Sequence, residues 1–374
     1  MKQNRKWMIY AGILLLLCAA LGTGFLLGKN TMSEEIRREK EFDVLLNKSE
    51  LQNLGEIQGT IYVTGHKSPD SDTVGSSIAC AYLLRQLGYD AAAVVLGPIN
   101  HESAFILESA GIETPELLLD ASGLNMVLVD HSEYTQSADG LMDAHIVSII
   151  DHHGDGTVTT GNQLIYDARP LGATATILWL RYRNYDIVPD GKTAFAMIGS
   201  ILSDTRNLKS ENTTFADREA VKALNEIAKI ENIDAFYEEM YKAYLSYDGM
   251  SDEEIFFSDY KEYESGGKKY SIGCVAAYDE EAAKDYAERM KKVLPEAMEK
   301  KGMDLAFAAV SVTRDDASVT YLIAADEASD EVLRLAAGDN AEFDGTSYIV
   351  RPYISRKSVL VPAITDILES YPQE

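Results

Sequence analysis

Three short apolar runs, Ile61-Tyr62-Val63, Val127-Leu128-Val129 and Ile146-Val147-Ser148-Ile149-Ile150, each pass directly into residues of metal-binding type. The first leads through Thr64 and Gly65 to His66, Asp70 and Asp72, the second stops at Asp130, and the third at Asp151-His152-His153. Runs this short, without polar alternation, suit strands buried on both faces, the pattern of a parallel sheet covered by helices. Ligands bind such sheets in the crevice at the carboxyl ends of the strands. The three runs therefore predict that these imidazoles and carboxylates meet at one sheet edge. Asp204, closing the apolar segment Ile201-Leu202-Ser203, adds another carboxylate.

The surrounding pattern agrees. From Ile57 to about Tyr244 strand and helix signals alternate: strands at 61–64, 91–96, 126–130 and 146–150, helices at 73–88 and 102–110 and near 173–183, 193–203 and 214–230. This predicts an α/β domain with a mainly parallel sheet over 57–244. The run Leu245-Ser246-Tyr247-Asp248-Gly249-Met250-Ser251 breaks the pattern and marks a boundary. Residues 251–374 then read as a second, smaller α/β domain, with strands at 270–275, 305–312 and 319–323, a helix at 280–300 and a last helix from Pro362.

At the amino terminus, Trp7 to Gly28 is 22 residues without a charge. A helix of that length reaches across the roughly 30 Å hydrocarbon core of a bilayer. Residues 1–28 are therefore expected to form a single-pass membrane anchor, with residues 29–56 as a juxtamembrane stalk. The rival is a cleaved signal, for which Gly22-Thr23-Gly24 offers a small-residue site. Lys2, Arg5 and Lys6 before the span nearly balance Lys29, Arg37, Arg38 and Lys40 after it, and the short basic tail leans the large domain towards the extracytoplasmic side. A formal net charge of −26 argues against a nucleic-acid polymer as partner, because backbone affinity comes from clustered bases. Cys18, Cys80 and Cys274 make no disulfide framework. The sequence leaves the oligomeric state open, a homodimer included.

Imidazole and carboxylate without thiolate suit Mn²⁺, Co²⁺ or Mg²⁺ rather than a structural zinc. More than four ligands imply two ions, and two ions about 3.5–4 Å apart activate a water and hold both the attacking and the leaving oxygen of a phosphoryl transfer. Asp130, alone on the central strand, is the natural bridge.

The segments "GHKSPDSDTVGSSIA", "VLVDHSE", "IIDHHGDG", "GATATIL" and "ILSDTRNLKS" resemble, in order, the motifs of the DHH phosphoesterase superfamily, and specifically its manganese-dependent (family II) inorganic pyrophosphatases. "SRKSVLVPAIT" and "DYKEY" resemble parts of the DHH-associated second domain. The resemblance implies two Mn²⁺, with Co²⁺ as a substitute and Mg²⁺ on the substrate, and an active site between the domains. It implies that His66, Asp70 and Asp130 hold one ion and that Asp72, Asp130, His152 and Asp204 hold the other. Asp70, Asp151 and His153 are the catalytic set it implies: Asp151 orients a ligand imidazole or caps the following turn, and His153 faces the substrate. Lys261, Arg356 and Lys357, with His153, bind phosphate. From the residues alone, His101, His131 and His145 read as ordinary loop residues, of which only His131, next to Asp130, is placed to touch the site. The implied activity is hydrolysis of pyrophosphate or another small phosphoanhydride. Short-chain exopolyphosphatase, nucleotide phosphodiesterase and a membrane-tethered phosphate-ligand sensor without turnover are the alternatives. The chain departs from the family at Ser68, usually Asn, at Gly154, usually basic, and at Arg206-Asn207, usually apolar.

Overall fold

The computed structural model describes residues 34–51, 57–314 and 318–370. The chain forms two compact units, Met1–Met240 and Tyr241–Glu374.

In the first unit the strands β1 (Ile61–Thr64), β2 (Ala91–Val95), β3 (Glu116–Leu117), β4 (Asn125–Val129), β5 (His145–Asp151) and β6 (Ile165–Ala168) make one all-parallel sheet in the order β3-β2-β1-β4-β5-β6. The winding reverses between β1 and β4. Their carboxyl ends border the crevice that such a reversal opens, which is where a doubly wound sheet binds ligands. β1, β4 and β5 are buried along nearly their whole length, as their unbroken apolar sequences require.

Residues 34–51 form helix α1, which ends with Leu51 in the core and pairs Lys40 with Asp186. The helices that follow are α2 (Ser71–Gln86), α3 (His101–Ala110), α4 (Thr174–Asn184), α5 (Gly191–Asp204), α6 (Phe215–Ala228) and α7 (Ile233–Tyr244). Side-chain caps start several of them: Asp70 accepts from Thr73 N, Asn100 from Ser103 N, and Asp190 from Thr193 N. α2 and α5 approach closely because α2 carries Gly75, where a Cβ would sit 2.0 Å from Ser200 Oγ. That contact brings the start of α2 and the end of α5 to the same crevice.

The second unit has a mixed sheet in the order β11-β12-β10-β9-β8-β7, with β8 and β9 parallel and the other pairs antiparallel. Its strands are β7 (Tyr260–Ser265), β8 (Lys268–Ala276), β9 (Leu305–Val312), β10 (Val319–Ala324), β11 (Glu342–Phe343) and β12 (Tyr348–Val350). β7 and β8 join through Gly266-Gly267, both with positive φ (55° and 70°), as a two-residue hairpin needs. Helices α8 (Asp252–Ser258) and α9 (Glu280–Lys301) pack into one core, while α11 (Val361–Ser370) and part of α10 (Glu327–Ala337) pack into another.

The expectation of a single-pass membrane protein with an extracytoplasmic domain is overturned: no helix among the described residues is long and apolar enough to cross a membrane. α9, at 22 residues, has the length, but charged side chains occupy more than half of it. Burying them in hydrocarbon is prohibitive. Residues 7–28, on which the span was expected, lie outside the described residues.

Candidate metal centre

Three groups of side chains at the crevice have ligand atoms within 4.8 Å of one another: His66, Asp70 and Asp130; Asp72, Asp130, His152 and Asp204; and Asp130, His152 and His153. Asp130 belongs to all three. His66 Nε2 lies 3.4 Å from Asp70 Oδ2 and 3.5 Å from Asp130 Oδ2, and His152 Nε2 lies 3.4 Å from Asp130 Oδ1 and 3.3 Å from Asp204 Oδ2. His152 Nε2 is buried and has no hydrogen-bond partner among the described residues. A buried, unsatisfied ring nitrogen aimed at carboxylates fits a divalent cation, which is the partner such a donor set lacks.

The fold holds each group from behind. Asp130 directly follows β4 with φ at +62°, a left-handed conformation that costs energy and turns its carboxylate into the crevice. Thr73 Oγ1 donates to its Oδ2 at 2.8 Å and Thr174 Oγ1 to its Oδ1 at 3.1 Å. Asp72 accepts from Thr174 N at 2.6 Å and Ala175 N at 3.1 Å, so α4, which has no side-chain cap at Ala173, is capped by a carboxylate from α2. His152 Nδ1 donates to Leu171 O at 3.0 Å, which leaves Nε2 as the nitrogen that faces the carboxylates.

Asp151 serves the other imidazole. Its Oδ1 lies 3.0 Å from both the Nδ1 and the backbone N of His153, and Ser132 Oγ donates to its Oδ2 at 3.1 Å. His153 is thereby fixed with Nε2 turned away from Asp151, its side chain 57% exposed beside a cavity of about 510 Å³ that Ser68, Asp70, Asp130 and Gly154 also line. His131 lines the same cavity, but both ring nitrogens are engaged, Nδ1 with Val129 O at 2.9 Å and Nε2 with Ser137 Oγ at 3.0 Å. Burial lowers its pKa below the usual histidine value. His101 is exposed at the start of α3, and His145 bonds Asn125 Oδ1.

The crevice is short of positive charge. Burial raises Asp204 to about 10 and Asp72 to about 8, and the neighbouring carboxylates add to both. Burial lowers His66 and His152, but the adjacent Asp130 carboxylate and the surrounding negative charge outweigh it and carry both to about 10. Asp130, despite its burial, is held well below the usual range by His152, His66 and Thr73. Without a cation the cluster thus takes up protons, which a metal must displace. We expect Mn²⁺ binding at pH 8 to release about one proton or more per chain and to tighten as pH rises towards 10. Calorimetry in two buffers of different ionisation heat reads this directly, and zero net release would contradict the protonated crevice.

Comparison with known proteins decides the family. Residues 60–201 match the DHH family, N-terminal domain, and residues 238–367 match the DHHA2 domain. The chain is 34% identical over 313 residues to the manganese-dependent inorganic pyrophosphatase of Methanocaldococcus jannaschii, an alignment covering 81% of this chain and 97% of that protein. It belongs to the manganese-dependent, family II inorganic pyrophosphatases of the DHH superfamily. The enzyme of the same name from Methanothrix thermoacetophila is 33% identical over 308 residues, covering 81% of this chain and 97% of the relative. A crystal structure of a Methanococcus jannaschii protein assigned to family II inorganic pyrophosphatase superposes with a TM-score of 0.52 at 33% identity, covering 83% of this chain and 100% of that one.

Within this DHHA2-containing family member, the bases expected to bind phosphate lie in the second unit. Arg356 and Lys357 open a single π-helical turn, Arg356–Leu360, that Ser355 caps and that runs into α11. They line a cavity of about 360 Å³ with Ser355, Ser311 and Thr313. Arg356 is anchored there: Nη2 pairs with Asp259 Oδ1 at 2.7 Å and Nη1 donates to Asp259 O at 2.7 Å. Lys357 is exposed and has no ion pair among the described residues. Lys261 is exposed on β7, outside that cavity's wall. Of the positions that depart from the family, Ser68 and Gly154 line the first unit's cavity, and Arg206 and Asn207 occupy a left-handed turn that begins two residues after Asp204, where Asn207 Nδ2 donates to Asp234 Oδ1 at 2.8 Å.

The sequence reading did not single out Thr73, Thr174, Ser132 or Glu102 as parts of this site. Thr73 and Thr174 lie inside family-like segments, yet no spacing rule says that their hydroxyls meet Asp130 from 57 and 44 residues away.

Proposed function

We propose that this protein hydrolyses inorganic pyrophosphate to two phosphates with Mn²⁺ as its cofactor. The observation that carries the proposal is the complete six-residue cluster of His66, Asp70, Asp72, Asp130, His152 and Asp204, with His152 Nε2 unsatisfied, in a chain that spans 97% of a manganese-dependent pyrophosphatase. His66, Asp70 and Asp130 hold one ion; Asp72, Asp130, His152 and Asp204 hold the other. When bound, the ions lower the pKa of water and neutralise phosphate oxygens.

The remaining steps fall to the protein. Thr73 and Thr174 keep Asp130 oriented between the two sets, and the amino end of α4 does the same for Asp72. Asp151 and Ser132 hold His153, whose Nε2 is the group that donates a proton or a hydrogen bond to the departing phosphate. Arg356 and Lys357 bind phosphate oxygens, Arg356 through a guanidinium already fixed by Asp259 and Lys357 through a mobile point charge. Lys261 contributes a further charge.

The test is turnover by the full-length protein with Mn²⁺, read as phosphate release from pyrophosphate and tripolyphosphate and as ring opening of a cyclic dinucleotide. Pyrophosphate is expected to turn over fastest. Faster release from tripolyphosphate, or cleavage of the dinucleotide alone, would overturn the assignment.

A further inference from the structure

Glu102 is a buried carboxylate that the proposed chemistry does not use. It lies in the first turn of α3, 6% exposed, and no Lys, Arg or His pairs with it among the described residues. One of its oxygens, Oε2, accepts from Ser71 Oγ at 2.7 Å and from Ser203 Oγ at 2.7 Å. Ser71 stands between Asp70 and Asp72 in the first turn of α2, and Ser203 immediately precedes Asp204 in the last turn of α5. A single oxygen atom thus joins the two chain segments that carry three of the proposed ligands. Neither link is local, since Glu102 is 31 residues from Ser71 and 101 from Ser203.

The arrangement is costly as a packing device. Burying a carboxylate without a cation is unfavourable, and burial holds Glu102 above the usual carboxylate range even though both serines counter it. An apolar side chain would fill the space more cheaply but would accept neither hydroxyl. Further bonds hold the start of α3 and Ser71 in place around it. Asn100 caps α3 through Ser103 N at 2.7 Å, Ser103 Oγ lies 3.2 Å from Ser71 Oγ, and Ser200 Oγ donates to Ser71 O at 2.9 Å. Glu102 is therefore the centre of a hydroxyl network that spans α2, α3 and α5 just behind the crevice.

We propose that Glu102 is a positioning residue for the two-ion centre: through Ser71 and Ser203 it sets the spacing of Asp70 and Asp72 against Asp204, and so governs the affinity for the ion that Asp204 holds. The inference rests on the ligand assignment above. It bears mainly on the second ion, because Asp70 keeps its own bond from Thr73 N at 3.0 Å when the link through Ser71 is cut, whereas Asp204 is tied to α2 through Ser203 and Glu102.

The experiment uses the full-length protein and Mn²⁺ alone, without substrate. Equilibrium dialysis counts and ranks the bound ions, and electron paramagnetic resonance detects the exchange-coupled pair. Glu102→Ala is expected to hold the first Mn²⁺ within about threefold of wild type and the second about 10–100-fold more weakly, with the coupled signal shifted to higher Mn²⁺ accordingly. Glu102→Gln keeps an amide oxygen able to accept both hydroxyls and is expected to restore the second ion. Ser203→Ala, which cuts only the link to the Asp204 segment, is expected to weaken the second ion alone. Wild-type affinity for the second ion in Glu102→Ala, even with a lowered melting temperature, overturns the proposal. If Glu102→Ala does not fold, wild-type affinity in Ser203→Ala overturns it instead. Asp204→Asn distinguishes the two levels of failure: two tightly held Mn²⁺ in that variant would refute the ligand assignment itself.

Discussion

Asp130→Ala is expected to abolish pyrophosphate hydrolysis and to disturb both ions at once. Asp130 is the residue common to all three ligand groups, it is 2% exposed, and it is the carboxylate that stays anionic where its neighbours hold protons. Metal-borne stabilisation of a phosphoryl transfer amounts to several kcal/mol, and about 1.4 kcal/mol is a factor of ten, so kcat should fall by about 10³-fold or more. Metal analysis of the dialysed variant is the decisive measurement. Two tightly bound Mn²⁺ per chain would show that Asp130 does not bridge them. Circular dichroism checks that the variant folds, since Asp130 also accepts from the Thr73 and Thr174 hydroxyls and faces the His66 and His152 imidazoles.

The second large effect is expected from Arg356→Met/Lys357→Met, which should keep both Mn²⁺ and lose most turnover. In a chain of net charge −26, an anionic substrate approaching carboxylate ligands needs positive charge from the protein. Each charge-assisted hydrogen bond is worth about 1.5–3 kcal/mol, so the pair together accounts for about 10²- to 10⁴-fold in kcat/KM. The loss cannot be blamed on unfolding by an orphaned ion: Asp259, the partner that Arg356 leaves, has a side chain 57% exposed, where an unpaired carboxylate costs little. Lys261→Met should cost less than either, since it lies outside the cavity that Arg356 and Lys357 line. Unchanged pyrophosphate turnover in the double variant would remove these two bases from substrate binding and weaken the case for a small phosphoanhydride as substrate.

What the sequence determined by itself was the chemistry of the crevice and the sheet that carries it. Unbroken apolar runs ending in Asp and His are a local signal with a strong physical cause: strands buried on both faces cannot alternate, and their polar residues are pushed to the ends. Strands β1, β2, β4 and β5 and helices α2 to α6 followed from the same periodicities, whereas β3 and β6, short and at most half-buried, and α7 did not. The hairpin at Gly266-Gly267 was present as a local signal too, but β7, Tyr-Lys-Glu-Tyr-Glu-Ser, is an edge strand with little to bury and so lacks the apolar run that makes a strand visible. The membrane expectation rested on length and hydropathy alone, which show that a segment could span a bilayer without showing that it does.

Only the tertiary structure decided how the ligands are held. The left-handed turn at Asp130, the capping of α4 by Asp72, the bond from His152 to Leu171 O, the pairing of Asp151 with His153 and the two serines on Glu102 follow from which elements become neighbours. Several join residues roughly a hundred positions apart, and each exists because a buried polar group must find a partner once water is excluded. Periodicity reports which side of an element is buried. It carries no information about which distant hydroxyl, amide or carbonyl will meet a given carboxylate there.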